Sequence, residues 1–351
     1  MTGTAAPIET DALVIGAGPV GLWQVFQLGL QDIRAHVVDA LPHAGGQPAE
    51  LYPDKPLYDI PGLPVCSGRE LVDRLMQQVK PFAPTLHLGQ SVSALAREAD
   101  GRWAAQTTAG QRFLARLMFI AAGVGAFQPK RLKLDGIEAF EGEQVHHRFP
   151  TDRDWSGQHV VVHGGDELAI DWALRLLDSP TPPEHLSLLH RREVLQSDDS
   201  AALARVQDTI ASGRARLVVG QPLGLASADG RLQALQVLDP QGAPQALALD
   251  QLVVALGLSP RLGPIADWGL AMDRKQLVVN TDGFETSEAG LYAVADINTY
   301  PGKKKLILCG FHEATLAAFA AAARLRPDQR VPLQYTTTSP RLHQLLGVAP
   351  R

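Results

Sequence analysis

Two cysteines, Cys66 and Cys309, are the only thiols in 351 residues. They stand far apart and form no C-x-x-C pair, which excludes a disulfide framework, a zinc ribbon and a redox-active dithiol as the organising chemistry. Such sparing use suits a reducing cytoplasm. From Met1 to Thr10 no basic stretch precedes an apolar one, and no uninterrupted apolar run reaches membrane-spanning length. A soluble, cytoplasmic protein without a membrane partner is therefore expected. An excess of one charge is missing too: 32 Lys and Arg against 37 Asp and Glu leave a net charge of −5. Nucleic acid finds no general attraction in that balance, and any anionic partner must be met by a local patch.

What is present is a globular composition, 45% hydrophobic and 20% charged, in a chain long enough for two domains with their own cores. The organising stretch is Leu13-Val14-Ile15-Gly16-Ala17-Gly18-Pro19-Val20-Gly21-Leu22, an apolar strand that enters a glycine turn and then a helix-compatible segment. In a dinucleotide-binding turn the three glycines do different things. Gly16 allows the tight turn, Gly18 lets backbone approach a pyrophosphate, and Gly21 lets the helix lie on the strand, with Pro19 opening the helix. A second strand, Ala35-His36-Val37-Val38, ends in Asp39 at the spacing of a ribose-binding acid. An acid there accepts a free 2′-hydroxyl and repels a 2′-phosphate, so this first site suits FAD or NAD(H) and not NADP(H).

Next come Gly45-Gly46-Gln47 and the aperiodic Tyr52-Pro53-Asp54-Lys55-Pro56-Leu57-Tyr58-Asp59, long irregular segments of the kind that carry binding loops. The ordered set of glycine turn, acid, Gly-Gly-Gln loop and tyrosine-rich loop resembles the flavodoxin/ferredoxin–NADP reductases of the thioredoxin-reductase-like type. The resemblance implies an α/β fold of two dinucleotide-binding, Rossmann-like, three-layer ββα domains of the thioredoxin-reductase/disulfide-reductase-like type. Residues 1–122 plus 262–351 would form a discontinuous FAD-binding domain and 123–261 an NAD(P)H-binding domain. It implies that Gln47 hydrogen-bonds the flavin region and that Tyr52 stacks on the isoalloxazine, the other reading of Tyr52 being a loop aromatic that plugs the core. Val92 and Phe127 match positions that meet FAD, although a strand residue and a core phenylalanine are the plain alternatives.

Between these points, Ser67 and Glu70 form a capping box opening a helix from Arg69 to Lys80. Leu86 to Arg97 reads as one strand, and Trp103 to Thr108 alternates like a meander strand.

From His159 the opening grammar repeats: strand Val160-Val161-Val162-His163, then Gly164-Gly165-Asp166-Glu167-Leu168-Ala169, then a helix from Ile170 to Leu177. The resemblance assigns the nicotinamide nucleotide here, in a pattern G-x-G-x-x-A whose register Asp171-Trp172-Ala173 supports. Gly164, Gly165 and Ala169 fall in line, but Asp166 takes the place of the second glycine. A carboxylate there opposes a pyrophosphate unless it swings away or pairs with a cation. His190-Arg191-Arg192 matches the family's 2′-phosphate motif, and guanidinium forks suit a phosphate. Its last arginine is Gln196, so NADPH is expected and NADH stays open.

Leu217 to Leu256 reads as a strand-rich return with a turn at Asp239-Pro240-Gln241-Gly242. Leu291-Tyr292-Ala293-Val294-Ala295-Asp296 resembles the second FAD fingerprint, Asp296 bonding the ribityl or pyrophosphate region, with Ala295 where glycine is usual. Gly310-Phe311-His312-Glu313-Ala314 begins an alanine-rich helix, His312 being either a proton donor near flavin or an ordinary helix residue. Lys303-Lys304-Lys305 and Lys130, Arg131 and Lys133 are basic runs that would guide an acidic ferredoxin or flavodoxin, or simply stay solvated. The stretch Leu333 to Ser339 resembles a C-terminal extension in which Tyr335 covers the other flavin face, Thr337 bonds the flavin, and the partner subunit of a homodimer is reached. A tail that merely frays would leave Tyr335 exposed. The activity implied is an FAD-dependent reductase working between NADPH and ferredoxin or flavodoxin. A repurposed flavoprotein with another electron donor and a non-catalytic flavin-binding protein are the rivals.

Overall fold

A computed structural model describes residues 6–150, 153–331, 333 and 335–348. The chain divides into two compact units, one built from the residues up to Ala126 together with those from Pro260 onward, the other from Phe127–Ser259.

In the first unit the strand Ile8–Ile15 lies at the centre of a sheet, parallel to Ala35–Val38 on one side and to Arg112–Ile120 on the other. Thr85–His87 extends the parallel part. Arg112–Ile120 is long enough to serve three neighbours, because its last residues pair with Leu291–Ala293 while its first pair antiparallel with Trp103–Thr107. Both of its faces are covered, and Leu117, Met118, Phe119 and Ile120 are fully buried, the apolar run expected of a central parallel strand.

Helices Pro19–Leu30 and Ile307–Leu325 pack together beside this sheet. The longer one turns Gly310, Ala314, Ala317, Ala318, Ala321 and Ala322 inward, a helical stripe of small side chains that permits close approach. An added Cβ at Gly310 would lie 2.4 Å from a Val20 methyl. The indole N–H of Trp23 donates to Phe311 O and to the Thr315 hydroxyl, both at 3.1 Å. The helix begins at Ile307, three residues before the expected start.

Two other expectations meet different fates. The helix Gly68–Val79 opens with the full capping box: Ser67 accepts from the Glu70 N–H at 3.1 Å and Glu70 accepts from the Ser67 N–H at 2.8 Å. The stretch from Leu86 to Arg97, by contrast, is two strands, Thr85–His87 and Val92–Arg97. Gly89 turns the chain at φ +71°, and the Gln90 N–H donates to Asp39 O at 3.0 Å, which ends the parallel pairing before Val92 starts the antiparallel one.

The second unit repeats the plan. A five-stranded parallel sheet runs in the order Val145–His146, Gln251–Val254, His159–His163, His185–His190, Arg216–Val219. Helices Glu167–Leu177 and Ser200–Ala211 contribute to a core that includes Trp172, Ile170 and Val206. A separate core holds the antiparallel strands Arg231–Leu238 and Pro244–Ala248, joined by the expected turn, where the Gly242 N–H donates to Asp239 O at 3.0 Å. Two Rossmann-like α/β units, each with a parallel sheet and an antiparallel meander, make up the fold.

Candidate functional site

The glycine turn after Ile8–Ile15 separates three kinds of glycine. At Gly16, φ is +112° and an added Cβ would lie 2.4 Å from Ala121 O; at Gly21 it would lie 1.9 Å from Gly16 O. Both are required by the protein's own packing. Gly21→Ala is expected to destabilise the first unit by about 3 kcal/mol, because backbone cannot retreat as a side chain would; thermal unfolding of the purified protein measures it. Gly18 differs. Its φ is −70°, open to any residue, and an added Cβ would meet only Gly46 Cα at 3.8 Å. Nothing among the described residues needs glycine there. Space remains beside a helix start, Pro19–Leu30, that has no side-chain cap, and such an end attracts an anion.

Asp39 is bound into this turn. Its Oδ2 accepts the Ala17 N–H at 2.5 Å and its Oδ1 the Leu41 N–H at 2.8 Å. Burial pushes its carboxyl above the usual carboxylate range, against the pull of those two donors. The Gly45-Gly46 loop docks on the same turn: the Gly45 N–H donates to Ala17 O at 2.9 Å, and a Cβ at Gly46 would lie 2.9 Å from Gly18 Cα. Gln47 follows in the short helix Gly46–Leu51, with its amide nitrogen beside Gly123.

Tyr52 is half-buried, and its hydroxyl pKa is raised by burial and then by the carboxylates of Asp296 and Asp59. The Asp296 charge thus reaches Tyr52 although most of the chain separates the two in sequence. Val92 is buried at the start of its strand. Tyr335 is 68% exposed and Thr337 is exposed in the turn Thr336–Thr338; neither shares a hydrogen bond with Tyr52, Asp296 or the glycine turn among the described residues. Gln334 and the side chain of Phe127 lie outside the described residues. His312 is exposed, edge-on to Phe284 with ring centroids 6.5 Å apart.

One basic run needs correcting. Lys303 is neither solvated nor free to meet a partner: its side chain is 7% exposed and paired with Glu313. Lys304 and Lys305 are exposed. In the other run Arg131 is paired with Glu141 at 2.7 Å.

In the second unit a cavity of about 500 Å³ gathers Gly164, Gly165, Asp166, Arg191, Arg192 and Gln196. An added Cβ at Gly164 would lie 2.3 Å from Ala255 O and 2.9 Å from Ala169 Cβ, so this close packing matches the first and last positions of the pattern. Asp166 does not swing away, and it pairs with no cation among the described residues. It caps its own helix, Glu167–Leu177, its Oδ1 accepting the Ala169 N–H at 3.4 Å. The helix thus begins at Glu167, earlier than periodicity alone suggested. The two glycine turns end differently: one helix start is open, the other carries its own carboxylate.

Two histidines, His163 and His190, also line this cavity. The His190 ring lies on Gly165, where an added Cβ would come within 2.3 Å of it. Burial, and then Arg191 and Arg192, hold His190 below the usual histidine range, opposed by Asp166. His163, at the strand end, shares a hydrogen bond with Leu189 O at 3.1 Å and is held low chiefly by burial. Its position, one residue before the glycine turn, was the available signal.

No helix among the described residues is long and apolar enough to cross a membrane. The pyridine nucleotide-disulphide oxidoreductase family pattern matches residues 10–321. A ferredoxin–NADP reductase from an Acidovorax species is 60% identical over 348 residues, covering 98% of this chain and 97% of its own. One from Leptothrix cholodnii is 58% identical over 349 residues, covering 99% and 94%. Among solved structures, bacillithiol disulfide reductase from Staphylococcus aureus superimposes with a TM-score of 0.64 at 15% identity, covering 92% of this chain and 100% of its own, a likeness of fold alone.

Proposed function

Because this chain belongs to the pyridine nucleotide-disulphide oxidoreductase family, and to the ferredoxin–NADP reductases within it, we propose that it is an FAD-dependent oxidoreductase passing electrons between NADPH and a ferredoxin or flavodoxin. The observation that carries the reading is Gly18: glycine at a position where the protein's own packing asks for none, beside a helix start left uncapped. A pyrophosphate suits that position, since the backbone N–H groups of the first helical turn complement its charge. Bound there, FAD supplies the chemistry, exchanging an electron pair with a nicotinamide and single electrons with the protein partner.

The chain's own residues bind and orient. Gly16, Gly18, Pro19 and Gly21 form the phosphate turn, and Asp39, anchored to that turn, accepts the ribose hydroxyls. Gln47 and Val92 meet the ring and its approaches, while Tyr52 and Tyr335 supply stacking faces, Phe127 and Thr337 further contacts. Asp296 meets the ribityl stretch. Residues 1–122 with 262–351 serve as the FAD domain and 123–261 as the NAD(P)H domain. In the latter Gly164, Gly165, Asp166 and Ala169 form the second turn, and Arg191 and Arg192 hold the 2′-phosphate. Both cysteines fall outside 123–261, so onward transfer through a dithiol of that domain is not part of the reading. A cytoplasmic homodimer is the proposed state. The exposed Leu345, Leu346 and Val348 near the C-terminal helix Pro340–Leu346 support it as an apolar surface wanting cover.

Anaerobic stopped-flow absorbance with NADPH, and separately with NADH, tests the reading. Rapid bleaching of the visible flavin band by NADPH is expected. A flavin that stays oxidised with both would favour a repurposed second site, for which the capping role of Asp166 is the structural motive. In the Arg191→Ala/Arg192→Ala variant KM for NADPH should rise at least about tenfold, or about 1.4 kcal/mol, with KM for NADH unchanged. Equal loss with both nucleotides would show that these arginines do not read the 2′-phosphate.

A further inference from the structure

A saturated, buried ionic cluster among the described residues is not used by the proposed function. Glu313 is fully buried in the helix Ile307–Leu325, and its carboxylate receives four donors. Oε2 accepts the Ala295 N–H at 2.8 Å and the Asn298 amide at 2.9 Å; Oε1 accepts the Tyr300 hydroxyl at 3.0 Å and the Lys303 ammonium. Four donors fill the acceptor sites of a carboxylate. Burial, and then the Glu313 charge, push the Tyr300 hydroxyl far up, which keeps it a donor.

All of this converges on one peptide. Ala295 has φ +72°, a left-handed conformation that costs a residue with a Cβ. Its N–H is held by Glu313 and its C=O accepts Lys303 Nζ at 2.9 Å. Because the peptide is planar and trans, the carbonyl turned toward Lys303 sends the Asp296 N–H the opposite way. The Gln276 amide donates to Asp296 O at 3.1 Å and to Asn298 O at 2.6 Å, and the Asn298 amide to Ala293 O at 2.8 Å. The backbone on each side of Asp296 is therefore clamped by side chains. Its carboxylate receives no hydrogen bond among the described residues, and its charge helps to raise the Tyr52 hydroxyl.

We propose that the Lys303–Glu313 pair is a positioning clamp, which holds the Ala295–Asp296 peptide so that the Asp296 carboxylate and N–H are presented to the bound flavin nucleotide. The inference rests on the reading of Asp296 as a cofactor residue. A fully buried ion pair is a weak source of stability compared with apolar packing, whereas a rigid support for a ligand-binding group is what such a network supplies well. Lys303 thereby leaves the set of partner-docking lysines and joins the cofactor site without touching the cofactor.

The test uses the purified, FAD-loaded protein and reads three quantities: the rate of FAD release on dilution, followed by flavin fluorescence; the visible circular dichroism of the bound flavin; and the thermal midpoint. Lys303→Met/Glu313→Gln removes both charges together and leaves no buried charge alone. Lys303→Arg keeps the charge and displaces the donor, and serves if the double variant does not fold. In each, FAD release should accelerate at least about tenfold, the loss of one charged hydrogen bond, with an altered flavin dichroism and a shift larger than the change in midpoint explains. Parental release and dichroism in both variants would overturn the clamp, as would acceleration that merely tracks lost stability. Asp296→Asn separates the two layers. If it too releases FAD at the parental rate, the assignment of Asp296 to the cofactor fails; if it alone accelerates release, the clamp fails while that assignment stands.

Discussion

Gly18→Asp is expected to leave the protein folded and to strip it of FAD. The position has φ −70° and 3.8 Å of clearance to Gly46 Cα, so a side chain can be accommodated. It is also the N-cap of Pro19–Leu30, which has no side-chain cap, and an aspartate there gains a few tenths of a kcal/mol over glycine. The same carboxylate would stand where the pyrophosphate must approach. Two unit charges about 5 Å apart at an effective dielectric near 20 repel by about 3 kcal/mol, a loss of about a hundredfold in affinity. Purified Gly18→Asp should therefore lose FAD on dilution to concentrations at which the parent stays loaded, with a thermal midpoint no lower than that of the parent freed of FAD. The contrast is Gly21→Ala, which loses stability first because its Cβ would lie 1.9 Å from Gly16 O. A Gly18→Asp protein that retains stoichiometric FAD would remove the pyrophosphate from this turn.

The second glycine turn already carries that arrangement, and its reversal is the second large effect. Asp166→Gly is expected to tighten NADPH binding about tenfold, or about 1.4 kcal/mol, less than the unscreened repulsion because Asp166 is exposed. Arg191 and Arg192 line the same cavity and offset part of its charge. The stability cost is a few tenths of a kcal/mol, since the bond to the Ala169 N–H is long at 3.4 Å and glycine is a tolerable N-cap. Asp166→Asn keeps a cap and removes the charge, so it should recover the electrostatic share of the gain and not the share due to an occupied helix start. Titration calorimetry with NADPH measures all three proteins. Unchanged affinity in both variants would mean that the nucleotide's phosphates do not meet this helix end.

The two turns differ in how much of each was legible in the residues alone. The spacing of Gly16, Gly18, Gly21 and Asp39 was enough to place the first glycine turn and the acid bonded to it, because turn sterics and the reach of a strand-end acid are local matters. Ser67 and Glu70 were likewise legible, a capping box being satisfied within four residues. Asp166 was legible as a departure and not as a cap, since a carboxylate that opposes a phosphate and one that closes a helix read alike. The break between Thr85–His87 and Val92–Arg97 was hidden, because alternation continues through Gly89 and only the bond from Gln90 to Asp39 shows where pairing changes partner.

Residue spacing and composition were enough to give the class of the protein, two Rossmann-like α/β units without a C-x-x-C dithiol or a membrane-length apolar run, together with the make-up of each glycine turn. Those properties follow from backbone sterics and from hydrogen bonds between near neighbours. The folded chain was needed to show that Gly18 is spare while Gly21 is obligatory, that Ala295 sits at φ +72°, and that one of three consecutive lysines is buried against Glu313 while its neighbours are exposed. Burial and ion pairing depend on which distant segments meet, and nothing in Lys303-Lys304-Lys305 distinguishes the residue that faces inward.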